Sequence, residues 1–371
     1  MNSPFQQDRI AAARFLVAGC GALGNEVLKN LALMGAEHLT LVDFDRVEQG
    51  NLSRSVLFSR ADVGRWKVDV AAERLSRMNP ALQVKVIPGD IAFDVGLGLI
   101  RQTDVVIGCV DNRWARYCIN RLCMRAGVPW VDGGIDALEG TVRVFVPGKN
   151  CYACSLGPEG LKDMARRQPC SGVIRRNEAA GKAPTTSLIA SVIGAIQVQE
   201  AFKLLHPDQG LVSLCGKMFY YEGERLSTRL VDFPAYDADC PVHDRWEPVR
   251  ASAVTANTTV AEALGTWREE LRSADVTLRL AGDCFVDYVL RRDNDARKEV
   301  LLPGRAVAAA VEQDAEWGGI PFSGLYQHEY RDINRSFPYQ SLTLGQLGVP
   351  ARDILPVTAE TGDYYMELGE A

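Results

Sequence analysis

The sequence predicts an α/β domain with a doubly wound, mainly parallel sheet, followed by a second, smaller α+β domain. Three observations carry that expectation. A short apolar run at residues 14–18 passes into a glycine-rich turn and then into an amphipathic helical stripe. Strand-like and helix-like segments go on alternating to about Val146, the pattern that builds a parallel sheet with helices on both faces. From about Arg250 the composition changes to short mixed segments with no internal repeat. The expected domains are residues 1–248 and 249–371.

Taken in order, Arg14, Phe15, Leu16, Val17 and Ala18 read as the first strand, and Gly19-Cys20-Gly21-Ala22-Leu23-Gly24 is a GxGxxG turn. Val27, Leu28, Leu31, Ala32 and Met34 follow at helical spacing. The glycines let the backbone approach a phosphate, and the helix that starts there offers unpaired N–H groups and the positive end of its dipole. Gly19, Gly21 and Gly24 are therefore candidate phosphate-binding positions. Leu39, Thr40, Leu41 and Val42 form a second strand ending in Asp43, where the first βαβ unit of a dinucleotide fold places a carboxylate on a ribose hydroxyl.

The segment after Asp43 is richer than an NAD site needs. It contains Asn51, Arg54 and Lys67, and guanidinium and ammonium groups are the usual clamps for a triphosphate. A helix from Val68 to Met78 stops at Asn79-Pro80, and Val84, Val86 and Ile87 form a strand. Asp104 to Val110 reads as a buried strand whose carboxyl end carries Asp111-Asn112, and ligands bind at such ends. Asp111 then faces the glycine turn, where it can hold the magnesium that escorts a triphosphate. It also suits capping of the helix that begins near Arg113. Leu122 to Val131 reads as helix and strand, Asp132-Gly133-Gly134-Ile135 as a turn, and Thr141 to Val146 as β.

In the pieces GCGALGNEVLKNLALMG, LVDFD, NLSRS, DVGRWK and CVDN the sequence closely resembles the ubiquitin-activating superfamily, including the ThiF and MoeB adenylyltransferases, in the family's order and spacing. The resemblance covers roughly Arg14 to His243. It implies a Rossmann-like adenylation fold and ATP-dependent adenylation of the C-terminal glycine of a ubiquitin-like or sulfur-carrier protein. Asp43 would fix the ribose, Asn51 would contact a phosphate or the ribose, Arg54 and Lys67 would stabilise phosphate charge, and Asp111 would hold Mg2+. Two departures stand out: Ser55 replaces the family's common glutamine, and Gly50 precedes Asn51. The family's N-terminal arm carries an arginine that reaches the nucleotide of the partner subunit; here the arm is short and Arg9 is the residue available. A homodimer is expected, with a conjugating enzyme as a further partner.

Cys151-Tyr152-Ala153-Cys154 is a CxxC, and Cys240-Pro241-Val242-His243 a CxxH. Together they supply the four ligands of a closed tetrahedral Zn2+ site. A redox reading of Cys151 and Cys154 leaves Cys240 and His243 unexplained. Between the two halves, Cys170 lies near Arg166, Arg167, Arg175 and Arg176, cations that favour a thiolate if close in space, in what the family would make a crossover loop. Cys170 is the candidate acceptor of an acyl group as a thioester; Cys215, Cys284 and Cys20 are lesser candidates. Thr185 to Leu205 is a long helix rich in small residues.

The second domain reads as a strand leading into a helix over Val254 to Leu264, then strands at Val276 to Leu280, Cys284 to Leu290, Glu299 to Leu302 and Asp353 to Val357. Thr343 to Pro350 is faintly similar to the small ubiquitin-fold domains that some activating enzymes use to recruit the next protein. Dimerisation or a lid is an equal reading.

Composition limits the alternatives. The net charge of −6 argues against nucleic acid or an anionic membrane as the main partner. No apolar run is read as approaching the roughly 20 residues of a membrane span, and residues 1–8 lack a signal pattern, so the expected location is cytoplasmic. Ten cysteines in such a chain point to metal, catalysis or packing rather than disulfides. Three readings compete: an activating enzyme or sulfur-carrier adenylyltransferase, an NAD-dependent oxidoreductase, and a catalytically silent partner subunit. The oxidoreductase reading gives Arg54, Lys67 and Asp111 no joint task.

Overall fold

The computed structural model describes residues 4–166, 185–290, 297–312, 325–326 and 328–370. The described residues divide into two compact units, and both are discontinuous in the chain. The first takes in residues 4–92, 100–158 and 185–245, and the second 93–99, 159–166 and the part from 246 onward.

The order of elements up to the end of the first unit is α1 (Gln7–Ala12), β1 (Arg14–Ala18), α2 (Ala22–Leu33), β2 (His38–Val42), α3 (Lys67–Met78), β3 (Gln83–Ile87), α4 (Leu97–Arg101), β4 (Val105–Gly108), α5 (Arg113–Ala126), β5 (Trp130–Asp136), β6 (Glu139–Phe145), α6 (Gly157–Arg166), α7 (Ser187–Leu205), β7 (Lys217–Glu222) and β8 (Ser227–Asp232). The sheet of this unit runs β3-β2-β1-β4-β5-β6-β7-β8. Its first five strands pair in parallel and β6, β7 and β8 are antiparallel. Strand β1 lies between β2 and β4, with Phe15 opposite both Leu39 and Val105, so the chain order reverses there and a crevice opens at the carboxyl ends. Phe15 to Ala18 are all buried, which is why β1 reads as an unbroken apolar run rather than an alternating one.

Helix α2 buries Leu23, Val27, Leu28, Leu31 and Ala32, whereas Met34, expected on the same stripe, is the exposed residue that ends the helix. Gly194 lets α7 approach α2, since an added Cβ there would lie 3.0 Å from the Glu26 Cβ. Two expectations need correction. The Asp132-Gly133-Gly134-Ile135 stretch is no turn: it lies inside β5 and pairs with β6 through Asp132↔Arg143 and Gly134↔Thr141. And α7, with 19 residues, is long and apolar enough to cross a membrane. About half of it is instead buried within the protein, against α2 and the sheet.

The second unit contributes β9 (Val249–Ala251), α8 (Val260–Leu271), β10 (Val276–Arg279), β11 (Phe285–Leu290), β12 (Arg297–Pro303), α9 (Gly304–Glu312), β13 (Leu325–Tyr326), β14 (Glu329–Tyr330), β15 (Asp332–Ile333), β16 (Ile354–Ala359) and β17 (Gly362–Glu367). One sheet runs β15-β10-β16-β17-β9 with β17 parallel to β9, and a second is built on β11. The strand expected from Val254 is a turn closed by Thr258 N–H to Thr255 C=O, because Thr259 and Glu262 form a capping box that starts α8 directly after it. Val260, Ala263, Leu264, Trp267 and Leu271 form the buried face of α8, in one core with Leu278, Phe285, Phe337, Leu344 and Leu347.

Candidate nucleotide and metal sites

The three glycines of the turn stand in different surroundings. Gly19 has φ +95°, and a Cβ on it would meet the Cys109 carbonyl oxygen at 2.5 Å; on Gly24 it would meet the Gly19 carbonyl oxygen at 1.9 Å. These two glycines seat β1, β4 and the start of α2 against one another. A Cβ on Gly21 would meet nothing within 4 Å. The backbone there borders open space at a helix N-terminus, which fits a phosphate group.

Asp43 caps the same turn. Its Oδ2 accepts the Cys20 N–H at 2.6 Å and its Oδ1 the Asp45 N–H at 2.7 Å. Burial raises its pKa above the usual carboxylate value, against the lowering pull of Lys67 and of these N–H groups. Lys67 opens α3, is only 7% exposed, and donates from Nζ to Asp45 Oδ2 at 2.7 Å. Burial would lower its pKa, but the charge on Asp43 and the bond to Asp45 outweigh that and raise it. Lys67 is thus a charged, partly desolvated ammonium beside the turn.

Asn51 is buried in a single 3-10 turn (Gln49–Asn51), where its Oδ1 accepts the Glu48 N–H at 2.9 Å. Arg54, half-buried, donates from Nη1 to the Gly50 carbonyl at 2.9 Å. Asp111, exposed beyond β4, accepts from Asn112 Nδ2 at 3.2 Å. The cap of α5 is Asn112 rather than Asp111: Asn112 Oδ1 accepts the Ala115 N–H at 2.8 Å, which leaves the Asp111 carboxylate outside the helix bonding. Hydrogen bonds link Asp43 to the glycine turn and to Asp45, and Asp45 to Lys67. Arg54 lies in the loop after β2 and Asp111 in the loop after β4, and neither is hydrogen-bonded into that chain of contacts.

Several positioning groups were not singled out from the sequence. Asn25 is buried and bonds the turn and the Leu57 segment together, with Nδ2 donating to the Cys20 and Gly21 carbonyls and Oδ1 accepting the Leu57 N–H. Gln197 donates to the Gly108 carbonyl at 2.9 Å, at the end of β4. Fully buried Asp132 pairs with Arg116 at 3.0 Å and with Arg143, and Arg116 also holds the Val110 carbonyl, one residue before Asp111. The available signal is the same for Asn25 and Gln197: a polar side chain on the buried side of an otherwise apolar helix.

The second constellation is compact. Cys151, Cys154, Cys240 and His243 place their ligand atoms within 4.8 Å of one another. Sγ of Cys151 lies 3.8 Å from Sγ of Cys240 and 3.7 Å from that of Cys154, and Cys154 Sγ is 3.3 Å from His243 Nε2. Tetrahedral zinc with Zn–S bonds near 2.3 Å sets its sulfurs about 3.8 Å apart, so the donor set fits the ion in kind and spacing. The Cys240 hydrogen bond pulls the Cys151 thiol below its ordinary pKa, while the same contact raises Cys240. Tyr236 stacks on the His243 ring at 4.6 Å.

Cys170 lies outside the described residues. Cys20 is buried, and burial raises its thiol well above the ordinary pKa and raises Cys215 as well. Cys284 is disulfide-bonded and so offers no free thiol, which corrects both its place among the candidate acceptors and the expectation of cysteines without disulfides. Arg9 forms an ion pair with Asp208 of its own chain, with Nη2 2.9 Å from Oδ2, and bonds the Leu205 carbonyl at the end of α7.

The ThiF family model matches residues 3–242. The chain is 32% identical over 239 residues to the SAMP-activating enzyme E1 of Haloferax volcanii, covering 64% of this chain and 83% of that protein. It is 34% identical over 238 residues to the adenylyltransferase and sulfurtransferase MOCS3 of Mus musculus, a match covering 64% of this chain and about half (48%) of MOCS3. Among solved structures, E. coli MccB with ATP has the same fold over 64% of this chain and 68% of that one, with a TM-score of 0.52 at 23% identity.

Proposed function

The chain belongs to the ThiF family, and from that premise we propose that it uses ATP to adenylate the C-terminal carboxylate of a small glycine-tailed protein of the ubiquitin-like or sulfur-carrier type. The observation that carries the reading is Lys67: a cation held charged and desolvated beside an open helix N-terminus and the buried Asp43. A nicotinamide cofactor, whose diphosphate is not attacked, has no developing phosphate charge for such a group to stabilise. A triphosphate has, because its negative charge grows on the bridging and leaving oxygens as the α-phosphate is attacked.

In the proposed reaction the glycine carboxylate attacks the α-phosphate, the bond to the bridging oxygen breaks, and pyrophosphate leaves, giving an acyl-adenylate. Asp43 accepts from the ribose, using lone pairs not taken by the Cys20 and Asp45 N–H groups. The Gly21 backbone approaches the phosphates, and Lys67 and Arg54 stabilise their charge. Asp111, kept out of the α5 cap by Asn112, is the carboxylate available for a magnesium ion, which when bound neutralises pyrophosphate oxygens. No general base is required, since the nucleophile is already ionised. Cys151, Cys154, Cys240 and His243 would hold a structural zinc.

A second step, transfer of the acyl group to Cys170 as a thioester with release of AMP, belongs to the same proposal. Its support is the arginines at 166, 167, 175 and 176. The test is intact-mass spectrometry of the full chain incubated with ATP, Mg2+ and a candidate glycine-tailed protein. Expected are a carrier mass increased by AMP and a thiol-labile enzyme–carrier adduct that Cys170→Ser removes. Adenylate without adduct moves the reading to the sulfur-carrier route; absence of both across the glycine-tailed candidates contradicts it.

A further inference from the structure

Asn25 carries no role in the reaction as proposed, yet its amide is fully engaged in the interior of the nucleotide site. Its Nδ2 donates to the Cys20 carbonyl at 2.8 Å and the Gly21 carbonyl at 3.0 Å, and its Oδ1 accepts the Leu57 N–H at 2.8 Å. The residue is 0% exposed. It therefore joins two segments far apart in the chain: the phosphate turn and the stretch that holds Arg54. We infer that Asn25 is a positioning residue that sets the place of Arg54 relative to the glycine turn, an inference that rests on the adenylation reading.

The chain between Arg54 and Leu57 is short. Three residues span at most about 11 Å, so anchoring the Leu57 N–H limits where the Arg54 backbone goes. The segment is also tied upstream, where Asn51 and Glu48 form a reciprocal capping pair, and Arg54 itself bonds the Gly50 carbonyl. Ser55, Leu57 and Phe58 are buried beside it. Arg54 thus sits between two fixed points, one built by Asn51 and one by Asn25. Lys67 is held through Asp45 and Asp43, which reach the turn at the Cys20 N–H and not through the Leu57 segment, so its placement does not depend on the Asn25–Leu57 bond.

The chemistry explains an amide at this position. Two donors and an acceptor on one planar group satisfy two carbonyls and an N–H at once. Serine supplies one donor on a shorter arm. Aspartate cannot donate when ionised and would set a carboxylate against two carbonyl oxygens next to a phosphate site, so Asn25→Asp is expected to be worse than Asn25→Ser.

The test is a double-mutant cycle on the full chain, with the equilibrium affinity for Mg·ATP as the readout and the melting temperature and zinc content as controls. Asn25→Ser is expected to weaken Mg·ATP binding about tenfold alone, less than twofold in an Arg54→Ala background, and again about tenfold in a Lys67→Ala background. Asn25→Asp provides the second variant, with a larger loss and the same dependence on Arg54. Equal losses in all three backgrounds would show that Asn25 merely supports the turn, and overturn the inference. Failure of both Asn25 variants to fold overturns it as well. If wild type binds no Mg·ATP, the adenylation reading fails and this inference falls with it; if wild type binds and only the coupling is absent, the inference alone fails.

Discussion

At Gly24 there is no room for a methyl group, whereas at Gly21 there is nothing for it to strike, and the two positions make opposite predictions. Gly24→Ala must push α2 away from the turn and is expected to cost roughly 1–3 kcal/mol or more of stability. Gly21 has an ordinary φ of −72°, so Gly21→Ala should change stability by less than about 0.5 kcal/mol in thermal unfolding while weakening ATP binding in calorimetry. Similar stability losses for both would mean that the space beside Gly21 is not a ligand's. Lys67→Met removes the ammonium at near-constant volume and is expected to lower adenylation by about a hundredfold. Candidates of this kind can be named from the sequence because the chemistry of a phosphate site restricts them to few types at fixed offsets from a strand. Asn25, Asp45 and Gln197 cannot, because their partners lie in segments that come together only on folding, such as Leu57 for Asn25 and Gly108 for Gln197.

At the level of elements, the strand–turn–helix from Arg14 to Leu33 and the helix from Lys67 to Met78 follow their apolar periodicity closely. The pattern failed where glycine was taken for a turn. Gly133 lies in β5 because Gln197 crosses there, and a Cβ would meet its side chain at 2.4 Å. The segment before α3 is held by Asp62, which accepts from the Ser59 hydroxyl at 2.5 Å and backbone N–H at 2.8 Å and from Arg74 at 3.1 Å. The Ser59 hydroxyl first, then its N–H and Arg74, hold the Asp62 pKa below the usual 3.8. A depressed carboxylate stabilises the fold above its unfolded pKa and loses that contribution as pH falls through its lower folded value. Asp62→Asn should therefore lower the melting temperature at pH 7, and the gap to wild type should close as pH falls below about 4. A gap that is independent of pH would assign the effect to shape rather than charge. The metal knot makes a separate prediction: one zinc per chain by elemental analysis, lost together with several degrees of melting temperature in Cys240→Ser. Full stability without bound metal would contradict the zinc assignment.

Across the whole molecule, the change of composition near Arg250 was visible in the sequence, but the discontinuity of the two units was not. Residues 93–99 lie between β3 and β4 in the chain yet belong to the second unit. There the Leu97 N–H bonds Asp353 at 2.8 Å and the Gly98 N–H bonds the Arg352 carbonyl at 2.9 Å. Gly96 and Gly98 leave no space for a Cβ beside Arg352. Nothing in local pattern announces such a pairing across more than 250 residues. A chain cut after Arg245 should therefore expose buried Val95 and Leu97 and lose thermal stability, read by calorimetry against the full chain; unchanged melting would mean that these contacts contribute nothing to stability. The proposed function depends on one reaction. The most direct measurement is ATP–pyrophosphate exchange by the full chain with a glycine-tailed carrier protein. The prediction is exchange that requires the carrier and Mg2+ and falls about a hundredfold in Lys67→Met. Exchange left intact by Lys67→Met, or a chain that binds NAD in preference to ATP and exchanges no pyrophosphate, would contradict it.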